Sequence, residues 1–269
     1  MRGRYAVTAT WPQTGSGAME LELSGKTALV TGSSRGIGRA IAEALQAEGC
    51  RVAINSRHAV ELEATAAGIG CAAAITGDVT RAEDAKKVVN EAVRVFGQLD
   101  ILVCNVGSGR SVAPGDETAE EWQRVFALNL WSATNMVEAA RSALAASCGV
   151  VVCISSICGL EVIAGAPVTY SAAKAALHAY VRGIARPLGA EGVRINAIAP
   201  GNILFEGAVW EKKLKADAAG VKLMLDNQVA LARFGTPRDI AALAAWLASP
   251  RSGFATGAIW TLDGGQVRA

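Results

Sequence analysis

The chain has 269 residues, of which 51% are hydrophobic and 19% charged, so it can bury a sizeable core and is not disordered. Its 26 Lys and Arg residues nearly balance 24 Asp and Glu residues, and a net charge of +2 excludes the basic excess of a nucleic-acid-binding protein. The sequence contains two histidines, six cysteines without a CxxC pair and no apolar run of roughly 20 residues. It therefore offers few ligands for a metal site and no segment suited to span a membrane. We therefore expect a cytoplasmic protein with no metal, nucleic-acid or membrane partner.

The N-terminal segment differs in composition from the rest of the chain. Residues 1–18 contain Arg2 and Arg4, no acidic residue and a stretch rich in Gly, Ser and Thr. They lack the apolar core of a secretory signal. We predict that 1–18 is a flexible, dispensable extension and that residues 19–269 form one catalytic domain, since no Pro- or Gly-rich linker divides them.

From Lys26 onward, short apolar runs alternate with longer amphipathic segments. The runs are rich in branched residues and apolar at consecutive positions, which is typical of strands buried on both faces. They lie at residues 27–31, 52–55, 72–76, 101–104, 150–154 and 195–199. Strands that alternate with helices predict an α/β fold, a doubly wound parallel sheet of about seven strands with helices on both faces.

Three helix starts carry capping signals. Thr80–Glu83 and Thr118–Glu121 have the spacing of a capping box. Thr236 precedes Pro237, with Asp239 in the first turn, which is the favoured order of N-cap, first-turn proline and acid. Each pattern predicts a helix that begins directly after its threonine.

The first apolar run leads into a glycine-rich turn, and a helical pattern follows at once. Its spacing is Gly-x-x-x-Gly-x-Gly. Glycines at such a turn let the backbone approach a pyrophosphate, which then lies at the positive end of the new helix. The predicted cofactor contacts in this turn are Gly32, Ser34, Arg35, Gly36, Ile37 and Gly38.

The end of the second strand indicates which dinucleotide is bound. Folds that select NAD place an acid there to hold the ribose 2′-OH. This chain has Asn55, Ser56 and Arg57 instead, and the guanidinium of Arg57 suits a 2′-phosphate, as does that of Arg35 in the glycine turn. We therefore predict NADP(H), with Ser56 and Arg57 as contacts. NAD(H) is the alternative, and it requires another group to bind the ribose diol.

A further motif lies near the middle of the chain. Tyr170 and Lys174 enclose the sequence Ser-Ala-Ala, and Ser155 and Ser156 precede them. With the glycine turn, these residues make the chain resemble the classical short-chain dehydrogenase/reductase family over residues 24–265, and in particular its members similar to 3-oxoacyl-(acyl-carrier-protein) reductases. The resemblance implies a single Rossmann-like domain.

Tyr170 and Lys174 are four residues apart and share one helix face. The pKa of a free tyrosine lies near 10, and a lysine ammonium about 4 Å away supplies about 4 kcal/mol, nearly enough to bring it to neutral pH. By resemblance, Tyr170 is the general acid/base, Lys174 also binds the nicotinamide ribose, Ser156 holds the substrate oxygen and Asn129 holds a water. Ser155 is the rival serine, but the family spacing Ser-x-x-Gly favours Ser156.

The resemblance also implies further cofactor contacts and shows three departures. Cys104 and Val106 replace the usual Asn and Ala, Phe205 stands where the family has Thr, and Ser156 lies one residue farther from the tyrosine than is commonest. The implied contacts are Asp78, Val79, Asn105, Gly107, Tyr170, Lys174, Pro200, Gly201 and Ile203.

The substrate region is expected at residues 204–232, where the family keeps a variable lid. Arg110 follows Gly107 closely, and we predict that it binds a substrate carboxylate or phosphate beside Ser156 and Tyr170.

These residues together predict an NADPH-dependent oxidoreductase that transfers a hydride between nicotinamide and a ketone or secondary alcohol, similar to a 3-oxoacyl-thioester reductase. The alternatives are an NAD-dependent sugar or polyol dehydrogenase and a non-catalytic, cofactor-binding regulatory protein. By resemblance the chain forms a homotetramer, or a homodimer, through long helices at residues 118–145 and 169–190.

Overall fold

Seven parallel strands form the centre of the protein in the computed structural model, which describes residues 20–268. The strands are β1 (Thr27–Thr31), β2 (Arg51–Ser56), β3 (Ala73–Thr76), β4 (Ile101–Cys104), β5 (Val150–Ile154), β6 (Arg194–Pro200) and β7 (Ile259–Leu262). Their order is β3-β2-β1-β4-β5-β6-β7, and every neighbouring pair is parallel. The predicted fold class is confirmed, whereas the predicted extension at 1–18 lies outside the described residues.

Helices cover both faces of this sheet. They are α1 (Gly36–Ala47), α2 (Ala59–Ile69), α3 (Ala82–Phe96), α4 (Ala119–Phe126), α5 (Ser132–Ser147), α6 (Val168–Ala190), α7 (Val209–Ala216), α8 (Ala218–Gln228) and α9 (Pro237–Ala248). One core packs α3, α5 and α6 on the sheet, and the other packs α1, α2 and α9 on the opposite face. The adjacent residues Leu29 and Val30 of β1 belong to different cores, which explains why the strands are apolar at consecutive positions.

The helix starts match their predictions to different degrees. At α9 the capping box is complete, because Thr236 Oγ1 accepts from the Asp239 N–H and the Asp239 carboxylate accepts from the Thr236 N–H. Thr118 caps α4 as predicted. The prediction at Thr80 is wrong. Helix α3 begins one residue later, after Arg81, because both the N–H and the hydroxyl of Thr80 donate to the Asp78 carboxylate at 3.1 and 2.8 Å.

The order of the strands creates a crevice at one edge of the sheet. The chain moves outward in one direction from β1 to β3 and then returns to place β4 on the other side of β1. In open parallel sheets, ligands bind outside the carboxyl ends of the strands at such a reversal. The loops that follow β1 to β6 all meet at this edge.

Candidate active site

A cavity of about 1000 Å³ occupies the carboxyl edge of the sheet. It is bounded by the turns after β1 to β6 on one side, and by α7 and α8 on the other. The predicted residues that line it are Gly32, Ser34, Arg35, Ile37, Ser56, Arg57, Asp78, Val79, Asn105, Gly107, Arg110, Ser156, Tyr170, Lys174, Pro200, Gly201 and Ile203. The structure thus brings nearly all of the predicted site residues together in one cavity.

The glycine turn has the geometry that a pyrophosphate needs. Gly32 and Gly36 have φ values of +60° and +59°, a conformation that glycine adopts without strain. At Gly38 a Cβ atom would lie 2.6 Å from the Gly32 carbonyl oxygen, so only glycine allows α1 to start this close to the turn. Helix α1 has no side-chain cap and no acid in its first turn, which leaves its first N–H groups available to an anion.

Side chains from two other elements hold this turn in place. Asn105 Nδ2 donates to the carbonyl oxygens of Thr31 and Gly32 at 3.0 and 2.8 Å, and its side chain therefore ties the end of β4 to the turn. Thr65 on α2 donates to the Ser34 carbonyl at 2.8 Å. Thr65 belongs to none of the predicted motifs, and no local pattern indicates it, because it lies 31 residues after Ser34.

The end of β2 carries the groups predicted to select the cofactor. Arg57 Nη1 lies 3.8 Å from Asp78 Oδ2, and Arg35 is exposed at the start of α1. Both arginines line the cavity. Asn55 Nδ2 donates to two carbonyl oxygens of the β3 segment, and its Oδ1 is buried without a hydrogen-bond partner. An unpaired, buried acceptor here fits a ribose hydroxyl, and together with the open α1 terminus it shows that the cavity fits a dinucleotide.

Helix α6 presents Tyr170 and Lys174 to the cavity. Lys174 is buried, its Nζ donates to the Ile154 carbonyl at 2.9 Å, and it lies 5.9 Å from the centroid of the Tyr170 ring. Burial lowers the pKa of Lys174 to about 8. Burial also raises the pKa of Tyr170, although the Ser156 hydroxyl acts in the opposite direction.

The pKa of Tyr170 therefore differs from the sequence-based expectation of a phenol acidified by lysine. Lys174 Nζ lies 5.9 Å from the ring centroid, and the desolvation of the buried phenol outweighs the opposing hydrogen bond with Ser156. In this form of the protein, Tyr170 retains its proton at neutral pH.

The two rival serines have different partners. Ser155 Oγ lies 2.7 Å from His178 Nε2 and is therefore engaged with a buried imidazole. Ser156 Oγ accepts from the Cys158 N–H at 3.2 Å at the start of a short 3₁₀ turn, Ile157–Gly159. Because Ser156 also acts on the Tyr170 phenol, its position favours it over Ser155 as the predicted catalytic serine.

Asn129 lies in an irregular segment that the sequence analysis did not predict. The helix expected over 118–145 is interrupted between α4 and α5 by a π-helical turn, Ala127–Trp131. Within it, Asn129 Oδ1 accepts from the Ser108 N–H at 2.9 Å. A Cβ atom at Gly107 would lie 2.9 Å from Asn129 Oδ1 and 3.2 Å from Lys174 Nζ, so the glycine permits their close approach to the β4 loop.

Two contacts join the lid to the cofactor end of the cavity. The Phe205 ring packs on the glycine turn, where a Cβ atom at Gly36 would lie 2.6 Å from Phe205 Cε2. Arg110 Nη2 donates to the Gly207 carbonyl at 3.2 Å. The predicted anion-binding guanidinium of Arg110 is thus bonded to the backbone of the lid.

Within residues 20–268, no group of three or more His, Cys, Asp or Glu side chains could hold a metal ion. No helix in the same part of the chain is long and apolar enough to cross a membrane.

Comparisons with known proteins agree with this geometry. A family model described as enoyl-(acyl carrier protein) reductase matches residues 32–266. The chain is 34% identical over 257 residues to glucose 1-dehydrogenase 2 of Bacillus subtilis, covering 93% of this chain and 97% of the relative. It is 35% identical over 248 residues to the 3-oxoacyl-(acyl-carrier-protein) reductase of Staphylococcus aureus, covering 90% and 98%.

A solved structure extends the comparison to three dimensions. L-sorbose reductase from Gluconobacter frateurii, complexed with NADPH and L-sorbose, superposes with a TM-score of 0.87 at 29% identity, covering 93% of this chain and all of the other. The chain therefore belongs to the short-chain dehydrogenase/reductase family, whose members use a nicotinamide cofactor, and it is an oxidoreductase that acts on alcohol and ketone groups.

Proposed function

We propose that the protein is an NADPH-dependent reductase of ketones, reversible to the oxidation of secondary alcohols. The proposed cofactor preference rests on the residues at the end of β2. No acid is present there, and Arg57 lines the same cavity as Arg35. A guanidinium group at this position is always charged and offers several N–H donors to a 2′-phosphate, whereas a carboxylate would repel the phosphate. The superposed L-sorbose reductase, whose structure contains NADPH, supports the same preference.

The residues around Tyr170 suit the direction of reduction. NADPH, when bound, supplies the hydride. Burial raises the pKa of Tyr170, so the phenol keeps the proton that a reduced carbonyl oxygen requires. Ser156 donates a hydrogen bond to the same oxygen, and Lys174 lines the cavity, while the buried Asn129 amide holds Ser108 in the loop after β4.

The substrate half of the cavity favours an acyl-type ketone. Its walls carry apolar side chains from the β5–α6 loop and from the lid, namely Ile157, Ile163, Val209, Trp210, Val221 and Met224. These apolar side chains bury hydrocarbon, whereas Asn202, Lys213, Asp217, Gln228 and Gln266 in the same lining offer partners to polar groups of the substrate. We therefore propose a substrate similar to a 3-oxoacyl thioester, the class named in the Staphylococcus relative.

A second candidate is an NAD-dependent sugar or polyol dehydrogenase. The buried, unpaired Oδ1 of Asn55 favours it, because this acceptor can bind a ribose hydroxyl without a carboxylate. Relatives named glucose 1-dehydrogenase 2 and L-rhamnose 1-dehydrogenase act on sugars. In the third alternative, a regulatory protein without turnover, Tyr170→Phe would leave biological activity intact.

We further propose that the chain forms a cytoplasmic homotetramer or, alternatively, a homodimer. Trp131 and Val168, on the helices expected at the interface, are each 44% exposed although apolar. All six cysteines are free thiols, as in a reducing compartment. Sedimentation of the purified protein would distinguish the two assemblies from a monomer.

The first experiment measures initial rates with NADPH and NADH over acetoacetyl thioesters, keto sugars and bulky cyclic ketones. We expect NADPH to be preferred at least about tenfold, and Arg57→Ala to raise the KM for NADPH about tenfold while the KM for NADH stays within about twofold. Arg39→Ala is the matched control, because this exposed arginine of α1 pairs with Glu43 outside the cavity.

Tyr170→Phe completes the experiment. It should lower kcat at least about 100-fold and change the Kd for NADPH by less than about threefold, because it removes a proton donor and little binding surface. Preference for NADH with keto sugars would establish the second candidate. NADPH binding without turnover on any tested ketone would point to an untested substrate or to the third alternative.

A further inference from the structure

His178 is a buried titratable side chain to which the proposed chemistry gives no role. It is 2% exposed and lies on α6, one turn beyond Lys174 and two turns beyond Tyr170. Its Nε2 lies 2.7 Å from Ser155 Oγ and its Nδ1 lies 3.2 Å from the Gly159 carbonyl oxygen. Both ring nitrogens therefore have partners within hydrogen-bond distance.

These partners determine the tautomer. A carbonyl oxygen can only accept, so Nδ1 carries the proton and donates it to Gly159. Burial lowers the pKa of His178 to about 4, an effect increased by the nearby cations Arg182 and Lys174, so the ring is neutral and has no second proton. Nε2 must then accept the hydroxyl proton of Ser155.

The two partners flank the predicted catalytic serine. Ser155 directly precedes Ser156 at the end of β5, and Gly159 closes the 3₁₀ turn that Ser156 begins. The turn lies directly on α6, since a Cβ atom at Gly159 would be 2.8 Å from His178 Cε1. The imidazole thus joins both ends of the Ser155–Gly159 segment to the helix that carries Tyr170.

We propose that His178 is a positioning residue, a neutral Nδ1–H imidazole that holds the Ser155–Gly159 segment against α6 so that Ser156 and Tyr170 reach the same substrate oxygen. The inference rests on the proposed function for the identity of that oxygen. The hydrogen bonds themselves do not depend on it. The carbonyl oxygen of Ile154, the residue before the segment, accepts a hydrogen bond from Lys174 Nζ. Because Ile154 is continuous with the segment, the His178 contacts also help to maintain the position of Lys174.

Variants separate this role from simple core packing. His178→Phe keeps a ring but removes both hydrogen bonds, whereas His178→Gln retains a side-chain acceptor for Ser155. We expect His178→Phe to lower kcat about 10- to 100-fold, as displacement of reacting groups by about 1 Å does, with the Kd for NADPH unchanged within about threefold. His178→Gln should recover most of kcat, and adding Ser155→Ala to His178→Phe should cause no further loss.

Two results would overturn the proposal. One is a wild-type kcat in His178→Phe. The other is a parallel loss of kcat, cofactor affinity and Tm that His178→Gln does not rescue, because that pattern belongs to a packing defect.

A second readout requires no turnover. The chain contains two histidines, so the ¹⁵N signals of His178 in labelled protein are assigned by their loss in His178→Gln. We expect the neutral Nδ1–H tautomer, unchanged between about pH 6 and 8, and a shift of the Nε2 signal in Ser155→Ala. An Nε2–H tautomer or a protonated ring in that range would refute the assignment. If the wild type has no turnover while these signals are as expected, the proposed function fails and the imidazole contact stands.

Discussion

The two halves of the cavity are built in different ways. The cofactor half, formed by the turns after β1 to β4, is held by side chains from distant elements, such as Asn105 and Thr65 on the glycine turn. The substrate half is covered by α7, which has no buried residue, and by α8, which buries Val221. Helices with so little buried surface are held weakly.

Because of this difference, the residues of the chemical step and the residues that contact the variable part of the substrate lie in regions of different rigidity. The groups of the proposed chemistry lie on α6, on the π-helical turn and at the end of β5, whereas the lid can adapt to a substrate. The lid's own ion pairs, Lys215–Glu211 and Lys222–Asp226, are exposed and contribute little to its rigidity. Substitutions that displace Asn129, Tyr170 or Lys174 should therefore affect kcat strongly, and those in the lid should affect mainly KM.

Among the variants that test this difference between the two halves, the largest effect is expected at Gly107. Gly107→Ala should lower kcat about 10- to 100-fold, because the added Cβ would displace Asn129 or Lys174. Gly109→Ala in the same loop is the matched control, since its Cβ would meet only the Tyr170 ring at 3.8 Å, an ordinary contact. Steady-state kinetics of both variants provide the measurement. Equal kcat values for the two would show that the cofactor half is less rigid than the contacts indicate.

An intermediate effect is expected from pH. Because burial lowers the pKa of Lys174 to about 8, its ammonium is lost at a lower pH than that of an exposed lysine. We expect kcat/KM for ketone reduction to be level below this pH and to fall up to about tenfold per unit above it. Lys174→Met should be slower and lack this inflection. A wild-type profile that stays level to about pH 9.5 would contradict the prediction.

The smallest effect is expected at the lid contact. Arg110→Ala removes one exposed hydrogen bond to Gly207, so the KM for the ketone should rise about two- to fivefold with kcat nearly unchanged. Arg110→Lys serves as the charge-retaining control. Matched acidic and neutral ketones test the predicted substrate contact with the same variants. Unchanged relative rates would eliminate the anion-binding role and leave only the lid contact.

Local patterns were sufficient for six of the seven strands, whereas β7 has no buried residue and matches none of the predicted apolar runs. Buried parallel strands are recognisable from consecutive apolar residues, and most of the predicted cofactor contacts follow these strands directly. The complete capping box at Thr236 has all its partners within four residues. Thr80 shows the limit of such patterns, because the neighbouring Asp78 carboxylate competes for the same donors.

Contacts between distant positions could not be predicted. Ser155 and His178 are 23 residues apart, and they meet because α6 packs on the 3₁₀ turn that follows β5. Phe205 follows β6 and Gly36 follows β1, so their contact depends on the order of the strands in the folded sheet. The raised pKa of Tyr170 likewise depends on its burial, which the spacing of Tyr170 and Lys174 does not specify.

The π-helical turn at Ala127–Trp131 has a consequence for the angular register of the two helices that it joins. A π turn accommodates an extra residue, and one residue corresponds to about 100° of rotation in an α-helix. In a continuous helix, the face of α5 that carries Met136 and Val137 into the core would be rotated relative to Asn129 by about that angle. The irregular turn lets the Asn129 amide bond to the Ser108 backbone in the loop after β4, while α5 keeps its apolar face on the sheet.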